Sequence, residues 1–223
     1  MSNSKIVMAK DLYIGYENSI VLEQTSFSLN RGEFVFLTGA SGEGKTTLIR
    51  HLYGELKVKQ GYLNIGGFDM NRISKSKLTT LRRYIGIVFQ DYKLIKEWTI
   101  EKNVKLPLTI AGISEEVQNR EASKLLSKVK LAHIAEKYPY ELSGGEQQRV
   151  AIIRAIIHQP VMILADEPTG NLDEYSSKLV MDLFKLANKL GITVLIATHK
   201  LPEEFDLSFK HLHIEGKKIY EIH

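Results

Sequence analysis

Runs of consecutive apolar residues recur along the chain and predict the strands of a sheet. The four main runs are Phe34–Leu37, Tyr84–Phe89, Val161–Ala165 and Ile192–Ala197. The third is apolar at every position, which is typical of a parallel strand that is covered on both faces. Shorter apolar pieces, bounded by Asn, Gly and Arg-Gly turns, predict additional strands at Ile6–Met8, Ile20–Leu22 and Phe27–Leu29.

Apolar residues spaced three and four positions apart predict helices between these strands. The clearest amphipathic spacing is Leu179, Leu183, Leu186 and Leu190. Residues 91 to 140 have helical spacing and few glycines, so we expect an inserted helical subdomain over residues 91–158. Residues 1–90 and 159–223 are predicted to form the α/β core of a single domain spanning 1–223. A closing strand is expected at 217–220, with no further domain after it.

Composition narrows the class of protein. Of 223 residues, 43% are hydrophobic and 25% are charged, which is ordinary for a globular chain. The net charge of +4 is spread along the sequence, so no nucleic-acid partner is expected. The lack of cysteine excludes disulfides and thiolate metal sites. No signal peptide and no apolar run near the ~18 residues of a membrane span is present, so we expect a cytoplasmic protein that reaches a membrane through a partner.

The first candidate functional motif is a glycine-rich stretch between a predicted strand and a predicted helix. It runs Gly39, Ala40, Ser41, Gly42, Glu43, Gly44, Lys45, Thr46. This is the phosphate-binding pattern G-x-x-x-x-G-K-[ST] in its required context. Its glycines let backbone N–H groups curl around phosphate oxygens, the lysine supplies a charge, and the Thr46 hydroxyl can ligate Mg²⁺. The sequence therefore predicts binding of a nucleoside triphosphate.

Two carboxylates follow the buried strand Val161–Ala165, namely Asp166 and Glu167. Ligands of open α/β sheets bind at the carboxyl ends of the strands, so we expect both beside the glycine-rich loop, with Asp166 as a magnesium ligand. His199 ends the last core strand at the same edge. A lone histidine there is more often structural than functional. Tyr16 has two equally supported interpretations: an ordinary surface aromatic, or a flat ring on which adenine could stack.

The stretch Leu142–Arg149 predicts a well-capped helix. Ser143 and Glu146 form an S-x-x-E capping box, and Gly144 and Gly145 lie in the first turn. Glycines at this place expose the first backbone amides of the helix, which makes an anion site.

Taken together, these motifs resemble the nucleotide-binding subunit of ABC transporters over essentially the whole chain. The most specific element is Leu-Ser-Gly-Gly-Glu-Gln-Gln-Arg at 142–149. The resemblance implies a P-loop ATPase core with an N-terminal antiparallel β subdomain and an inserted α-helical subdomain. It also implies that ATP is sandwiched between two copies of the chain, with Ser143, Gly144 and Gly145 of one copy meeting the γ-phosphate on the other.

The resemblance implies a role for each matching residue. Glu167 acts as general base, His199 contacts the γ-phosphate, and Gln90 senses the metal and the attacking water. Mg²⁺ is held by Thr46, Gln90 and Asp166. ATP is bound by Tyr16, residues 39–46, Thr47, the signature residues 143–145 and Asp173. Three residues depart from the family pattern: Lys200 where an Asp is usual, Thr46 in place of Ser, and Glu43 where a small residue is common, which is tolerable if its side chain points away from the loop.

The segment Ala165–Asp173 is similar to a subgroup whose members serve cell division, lipoprotein release and macrolide export. Phe89-Gln90-Asp91 and Arg82-Arg83-x-Ile85-Gly86 favour the cell-division type. The implied partner is an inner-membrane permease, which would hold the chain at the cytoplasmic face. Its expected contact is the segment after Gln90, at Tyr92, Leu94, Ile95 and Trp98, unless Leu94 and Trp98 pack inside the subdomain.

Three alternatives remain open on the sequence. One is a lipoprotein-release or macrolide-export ATPase of the same subgroup. Another is an ABC ATPase that acts on ribosomes or DNA, which usually has tandem cassettes or long coiled-coil insertions. The last is a nucleotide-dependent clamp that scarcely hydrolyses ATP, although such clamps typically lack the base that Glu167 would provide.

Overall fold

The fold contains two sheets, a larger one that is mainly parallel and a smaller antiparallel one. The computed structural model describes residues 4–222. The strands are β1 (Lys5–Tyr16), β2 (Ser19–Asn30), β3 (Phe34–Thr38), β4 (Gln60–Ile65), β5 (Phe68–Asp69), β6 (Ile85–Val88), β7 (Met162–Asp166), β8 (Thr193–Ala197), β9 (Lys210–Glu215) and β10 (Lys218–Ile222). The helices are α1 (Lys45–Leu52), α2 (Lys75–Arg82), α3 (Ile100–Ile110), α4 (Glu115–Lys128), α5 (Gly144–Ile156) and α6 (Glu174–Lys189), with short 3₁₀ turns at Ala132–Ile134 and Pro139–Glu141.

The larger sheet has the strand order β10-β9-β3-β8-β7-β6. Its five strands from β9 to β6 are parallel, and β10 runs antiparallel to β9. Every residue of β3, β7 and β8 is buried. Helices cover both faces, with α1 on one side and α5 and α6 on the other, which explains why each of these strands is apolar at all but one position. The predicted α/β class is confirmed.

The smaller sheet is antiparallel, with the order β2-β1-β4-β5. The prediction of two separate strands at Ile20–Leu22 and Phe27–Leu29 is wrong, because both belong to the continuous strand β2. The register between β1 and β2 shifts near Gln24, whose φ is 44°. Such a bulge bends a strand without ending it, and it interrupts the apolar pattern in the sequence.

Helix α6 buries a different face from the one its leucines predict. Its buried residues are Val180, Leu183, Phe184 and Ala187. Only Leu183 is shared with the predicted stripe, and Leu190 lies beyond the helix with 65% of its surface exposed. Phe184 is buried in the same hydrophobic cluster as Phe34 and Phe36 of β3, and the face that the helix buries is shifted by about one position from the predicted stripe.

Strand β9 was not predicted at all. Its sequence alternates two buried apolar residues, Leu212 and Ile214, with His211 and His213, so no apolar run marks it. It pairs with β3 and brings His213 opposite Thr38. The closing strand expected at 217–220 is β10.

Helices α3, α4 and α5 share a separate hydrophobic cluster that includes Ile100, Val104, Leu126 and Val150. Ser114 precedes α4, and its side chain accepts no hydrogen bond from the described residues of that helix. Boundaries of the helical subdomain at 91 and 158 remain a prediction. Within residues 4–222, none of the helices has the length and apolar character needed to cross a membrane.

Candidate active site

The glycine-rich loop joins the end of β3 to the start of α1 at the carboxyl edge of the parallel sheet. Gly42 and Gly44 have φ angles of 82° and 112°, in a region that residues with a side chain rarely adopt. A Cβ on Gly44 would lie 2.4 Å from Cγ1 of Val21. None of the described side chains caps α1, so its first amides remain available as donors. The loop is therefore built to accept an anion at the helix N-terminus.

The ammonium of Lys45 lies at the centre of the loop. Its side chain is only 4% exposed, and Nζ donates to the carbonyl oxygens of Gly39 (2.8 Å) and Ala40 (3.1 Å). It also lies 3.7 Å from Oε1 of Glu167 and 3.3 Å from Nδ1 of His199. Loop, cation, carboxylate and imidazole thus converge on one point.

Glu167 and His199 form the closest pair in this group. Nε2 of His199 lies 2.6 Å from Oε1 of Glu167, and the two residues follow the adjacent strands β7 and β8. The φ of Glu167 is 45°, a strained value for a residue with a side chain, and its amide donates to Ala197 O at 2.9 Å. Strain of this kind is found at functional sites where the surrounding structure fixes a side chain. The carboxylate is held where it could accept a proton from a water molecule.

Asp166 is buried and has an unsatisfied oxygen. Its Oδ1 has no hydrogen-bond partner among the described residues. Burial raises the pKa of this carboxyl, and the neighbouring Glu167 carboxylate raises it further, while a hydrogen bond with Thr46 acts in the opposite direction. An orphaned buried anion requires an explanation, and a bound cation would supply one.

Thr46, Gln90 and Asp166 line the same cavity of about 740 Å³. A hydroxyl, an amide and a carboxylate are oxygen donors that suit a small, hard cation. Among residues 4–222, no cluster of three or more His, Cys, Asp or Glu side chains could hold a metal alone. A cation here would therefore complete its coordination with water and with the oxygens of a bound phosphate.

Tyr16 is fixed beside α1 and remains 42% exposed. Its hydroxyl lies 3.4 Å from the Thr47 hydroxyl and accepts from Nη1 of Arg50 at 3.3 Å. The Arg50 guanidinium also lies 5.7 Å from the centre of the ring. The ring borders a cavity of about 790 Å³, which leaves room for a base at this position.

Two departures from the family pattern have visible consequences. The side chain of Glu43 does not point away from the loop: its Oε2 accepts from the Ala40 amide at 3.2 Å, because that donor lies three residues back along the tight loop. The carboxylate therefore competes with phosphate for one loop amide. Lys200 instead directs its charge away from the cluster, where Nζ contacts Oε1 of Glu203 at 2.8 Å.

The predicted capping box at the start of α5 is present. Ser143 Oγ accepts from the Glu146 amide at 3.3 Å and donates to Glu146 Oε2 at 2.7 Å, and the Ser143 amide donates to the same oxygen at 2.9 Å. Gly145 permits a close approach to α6, since a Cβ there would lie 2.7 Å from Oγ of Ser176.

Asp173 caps α6 next to this point. Its carboxylate accepts from the Ser176 amide and the Ser176 hydroxyl, both at 2.8 Å, and these bonds lower its pKa. Within residues 4–222, no hydrogen bond or ion pair links Asp173 or the signature residues 143–145 to the loop at 39–46. The residues predicted to bind one nucleotide thus form two separate groups in a single chain.

Sequence reasoning did not identify Arg50, which supports Tyr16, or Arg154, which holds the segment after Gln90. The sequence contained one signal for Arg50, namely its position one helical turn after Lys45 and Thr46. Arg154 bonds to backbone carbonyls some 60 residues away in the chain, so no local pattern reveals it.

Comparison with known proteins gives a consistent result. The family model described as "ABC transporter" matches residues 22–170. The cell division ATP-binding protein FtsE of Streptococcus pneumoniae is 40% identical over 215 residues, covering 96% of this chain and 94% of that protein. FtsE of Escherichia coli K12 is 44% identical over 180 residues and covers 81% of each chain.

Solved structures show the same similarity. A dimeric ATP-binding cassette in a post-hydrolysis state, bound to ADP and phosphate, is 32% identical, with a TM-score of 0.85 and 97% coverage of both chains. A second dimeric structure, of a bacterial ABC transporter cassette, has a TM-score of 0.83 with 32% identity and 96% coverage of both chains.

Proposed function

Because the chain belongs to the ABC transporter family, we propose that it is the ATP-hydrolysing subunit of a membrane complex of the cell-division type. The observation that carries this function is the convergence of Lys45, Glu167 and His199 on the glycine-rich loop. The relatives from S. pneumoniae and E. coli carry the cell-division name, which favours this type over lipoprotein release or macrolide export.

Hydrolysis follows from the positions of these groups. The Lys45 ammonium exchanges its contacts with the loop carbonyls for oxygens of the β- and γ-phosphates, whose charge it neutralises. Glu167 accepts a proton from water as the water oxygen bonds to the γ-phosphorus. The bond from that phosphorus to the bridging oxygen breaks, and ADP leaves. His199, held by Glu167, donates to a γ-phosphate oxygen.

Thr46, Gln90 and Asp166 are proposed to hold Mg²⁺ together with ATP. The unsatisfied Oδ1 of Asp166 supports this assignment. Bound there, Mg²⁺ would neutralise charge that develops on the phosphate oxygens. Gln90, at the end of β6, orients the attacking water from the same cavity.

The second copy of the chain supplies the signature residues. Ser143, Gly144 and Gly145 begin α5 without a phosphate partner among the described residues of their own chain. The similar solved cassettes are dimers, one of them with ADP and phosphate bound. We infer that two copies close on ATP and that each signature serine meets the γ-phosphate on its partner.

The permease partner is proposed to be FtsX-like and to hold this chain at the cytoplasmic face of the inner membrane. Of the contact residues expected after Gln90, Leu94 packs against the helical cluster and is unavailable. Tyr92, Ile95 and Trp98 are half-buried. A groove of about 750 Å³ lies beside them. Tyr84 and Ile110 are exposed in its lining.

The groove suits an apolar segment with an acidic end. Its charged lining is basic, including Arg82, Arg83 and Lys93, and none of its lining residues is acidic within the described part of the chain. Phe89 and Lys93 line both the groove and the cavity of Gln90, so a partner seated there would respond to changes at the nucleotide.

Hydrolysis is tested with Glu167→Gln. We expect ATP binding to persist and phosphate release to fall about 10²–10⁴-fold, the usual cost of losing a general base. Calorimetry measures the binding and a phosphate-release assay measures the rate. Equal rates for this variant and the native chain would remove Glu167 from the role of base.

The permease contact is tested by co-purification with an FtsX-like permease. Ile110→Glu places a charge in the groove, Ile95→Glu places one on the segment after Gln90, and Ile113→Glu is the exposed control outside both. We expect Ile95→Glu and Ile110→Glu to lose the permease while keeping ATP binding. Loss with only one of them would confine the contact to the segment or to the groove, and loss with neither would place it elsewhere.

A further inference from the structure

The segment after Gln90 contains two strained residues in a row. Tyr92 and Lys93 have φ angles of 61° and 48°, and neither is glycine. Residues in this conformation persist only where the surrounding structure fixes them. Local bonds are few: the Tyr92 amide donates to Phe89 O at 3.2 Å, and the Lys93 amide donates to Asp91 O at 2.6 Å. Additional support has to come from elsewhere in the chain.

Arg154 of α5 supplies that support. Its Nη2 donates to the carbonyl of Tyr92 and its Nη1 donates to the carbonyl of Lys93, both at 2.7 Å. Arg154 is 8% exposed, and burial lowers its pKa to about 10. Within residues 4–222, no carboxylate forms an ion pair with it, so a desolvated guanidinium is devoted to two backbone oxygens.

The other end of α5 contacts the same segment. A Cβ built on Gly144 would lie 3.0 Å from the hydroxyl of Tyr92, so the Tyr92 side chain reaches the first turn of the signature helix. The segment is therefore held twice by one helix, through its backbone at Arg154 and through a side chain at Gly144. A planar fork of donors suits this arrangement, because it fixes two carbonyls relative to each other.

We propose that Arg154 is a positioning residue that ties the Gln90 segment to the signature helix. Through this tie, Gln90 reaches the metal and the attacking water only when α5 occupies its place. The inference rests on the proposed role of Gln90 in hydrolysis. It adds a connection inside one chain between the nucleotide edge and the surface offered to the second copy.

A double-mutant cycle tests the proposal with the full chain. The four proteins are the native chain, Gln90→Ala, Arg154→Met and the double variant, with Arg120→Met as the control for loss of an exposed arginine. We expect Arg154→Met to lower kcat about 10- to 100-fold, the cost of misplacing a group by about 1 Å. ATP affinity without Mg²⁺ should stay within twofold of the native value, and the Mg²⁺ concentration for half-maximal rate should rise.

The decisive readout is the effect of Arg154→Met in the Gln90→Ala background. If Arg154 acts through Gln90, the second substitution should lower kcat no further. A loss that multiplies in the double variant would overturn the inference and leave Arg154 a purely structural residue. If Gln90→Ala alone leaves kcat unchanged, the proposed role of Gln90 fails instead.

A second observable guards against misfolding of the methionine variant. Trp98 is the only tryptophan in the chain and lies in the segment after Gln90, beyond the two carbonyls that Arg154 contacts, so its fluorescence reports on that segment. Arg154→Lys keeps the charge but lacks the planar fork, and it should fold and show a smaller ATP–Mg²⁺-induced change at Trp98 than the native chain. A native-like fluorescence change and kcat in Arg154→Lys would also overturn the proposal.

Discussion

Two helices of this chain, α1 and α5, begin at glycine-rich sequences suited to anions, yet their first turns are completed differently. No described side chain caps α1, and Lys45 at its start lies beside Glu167 and His199. Helix α5 is capped by its own Ser143 and Glu146, which satisfy each other's donors. The first site can bind phosphate within one chain, whereas the second must exchange an internal bond for one to phosphate.

From this difference we infer that α1 serves ATP binding and that α5 serves the closure of two chains on ATP. Lys45, Glu167 and His199 lie together at the start of α1, so we expect one chain to suffice for ATP binding. The hydroxyl of Ser143 donates to Glu146 in the single chain, and we propose that it binds phosphate only when another copy of the chain brings one. Binding and closure should therefore be separable by substitution.

The largest expected effects come from substitutions that act separately at the start of α1 and at the start of α5. Lys45→Ala should weaken ATP binding by about 10- to 100-fold, since hydrogen bonds to charged groups contribute about 1.5–3 kcal/mol each. Ser143→Asp keeps a good N-cap but places a negative charge where phosphate would sit. It should bind ATP normally and hydrolyse none, as measured by calorimetry and phosphate release.

Ser143→Thr is the matched control, because it keeps both the cap and the hydroxyl. It should retain most of the hydrolysis. Weak ATP binding by Ser143→Asp would show that the signature serine contacts nucleotide within its own chain and would end the distinction between the two helix starts.

A smaller effect concerns acid and Mg²⁺ at Asp166. The pKa of this carboxyl is raised by burial, and a metal ligand must be deprotonated, so Mg²⁺ affinity should fall on acidification at a higher pH than for an ordinary aspartate. A carboxyl with a raised pKa contributes stability at low pH that is lost as pH rises through that pKa. Asp166→Asn should therefore raise Tm by about 2–4 °C at pH 7 without Mg²⁺, for roughly 1 kcal/mol, while abolishing hydrolysis.

Differential scanning fluorimetry with and without Mg²⁺ measures both signs. In the native chain, ATP–Mg²⁺ should raise Tm and the rise should shrink at acidic pH. A drop in Tm for Asp166→Asn without Mg²⁺ would mean that the buried charge is already satisfied within the protein.

The smallest expected effect is acid destabilisation at α1. His51 is fully buried on this helix, and burial lowers its pKa below the ordinary 6.5. A depressed pKa contributes stability above the unfolded value that is lost as pH falls towards the folded one. Urea unfolding at pH 7 and 5.5 should show a decline of at most about 1.4 kcal/mol per pH unit from this residue. A His51→Gln variant should decline less, and equal slopes would assign the acid response to other groups.

The sequence sufficed for the parts of the molecule in which local pattern and final contacts coincide. Fully apolar runs mark β3, β7 and β8, and the spacing of Ser143 and Glu146 marks the start of α5. Strand β9 escaped because histidines occupy its alternate positions. The buried face of α6 was not predicted because it is decided by a cluster that Phe184 shares with Phe34 and Phe36 of β3, which are distant in the sequence.

The same reasoning applies to the site. Family motifs located every catalytic candidate, and the geometry groups Lys45, Glu167 and His199 within about 4 Å of one another. The roles of these residues remain predictions. The orientation of Glu43 could not be derived from the sequence, because it is decided by a backbone amide of the loop that donates to its carboxylate. Contacts made by backbone atoms, like those of Arg154, carry no residue-type signal and have to be observed.

The central claim is that ATP joins two chains through the signature serine. Sedimentation velocity of Glu167→Gln tests it most directly, because this variant should hold ATP without hydrolysing it. We expect a monomer or weak dimer without nucleotide, a stable dimer with ATP–Mg²⁺, and no such shift when Ser143→Asp is added. A sedimentation profile that is the same with and without ATP–Mg²⁺ would contradict the account.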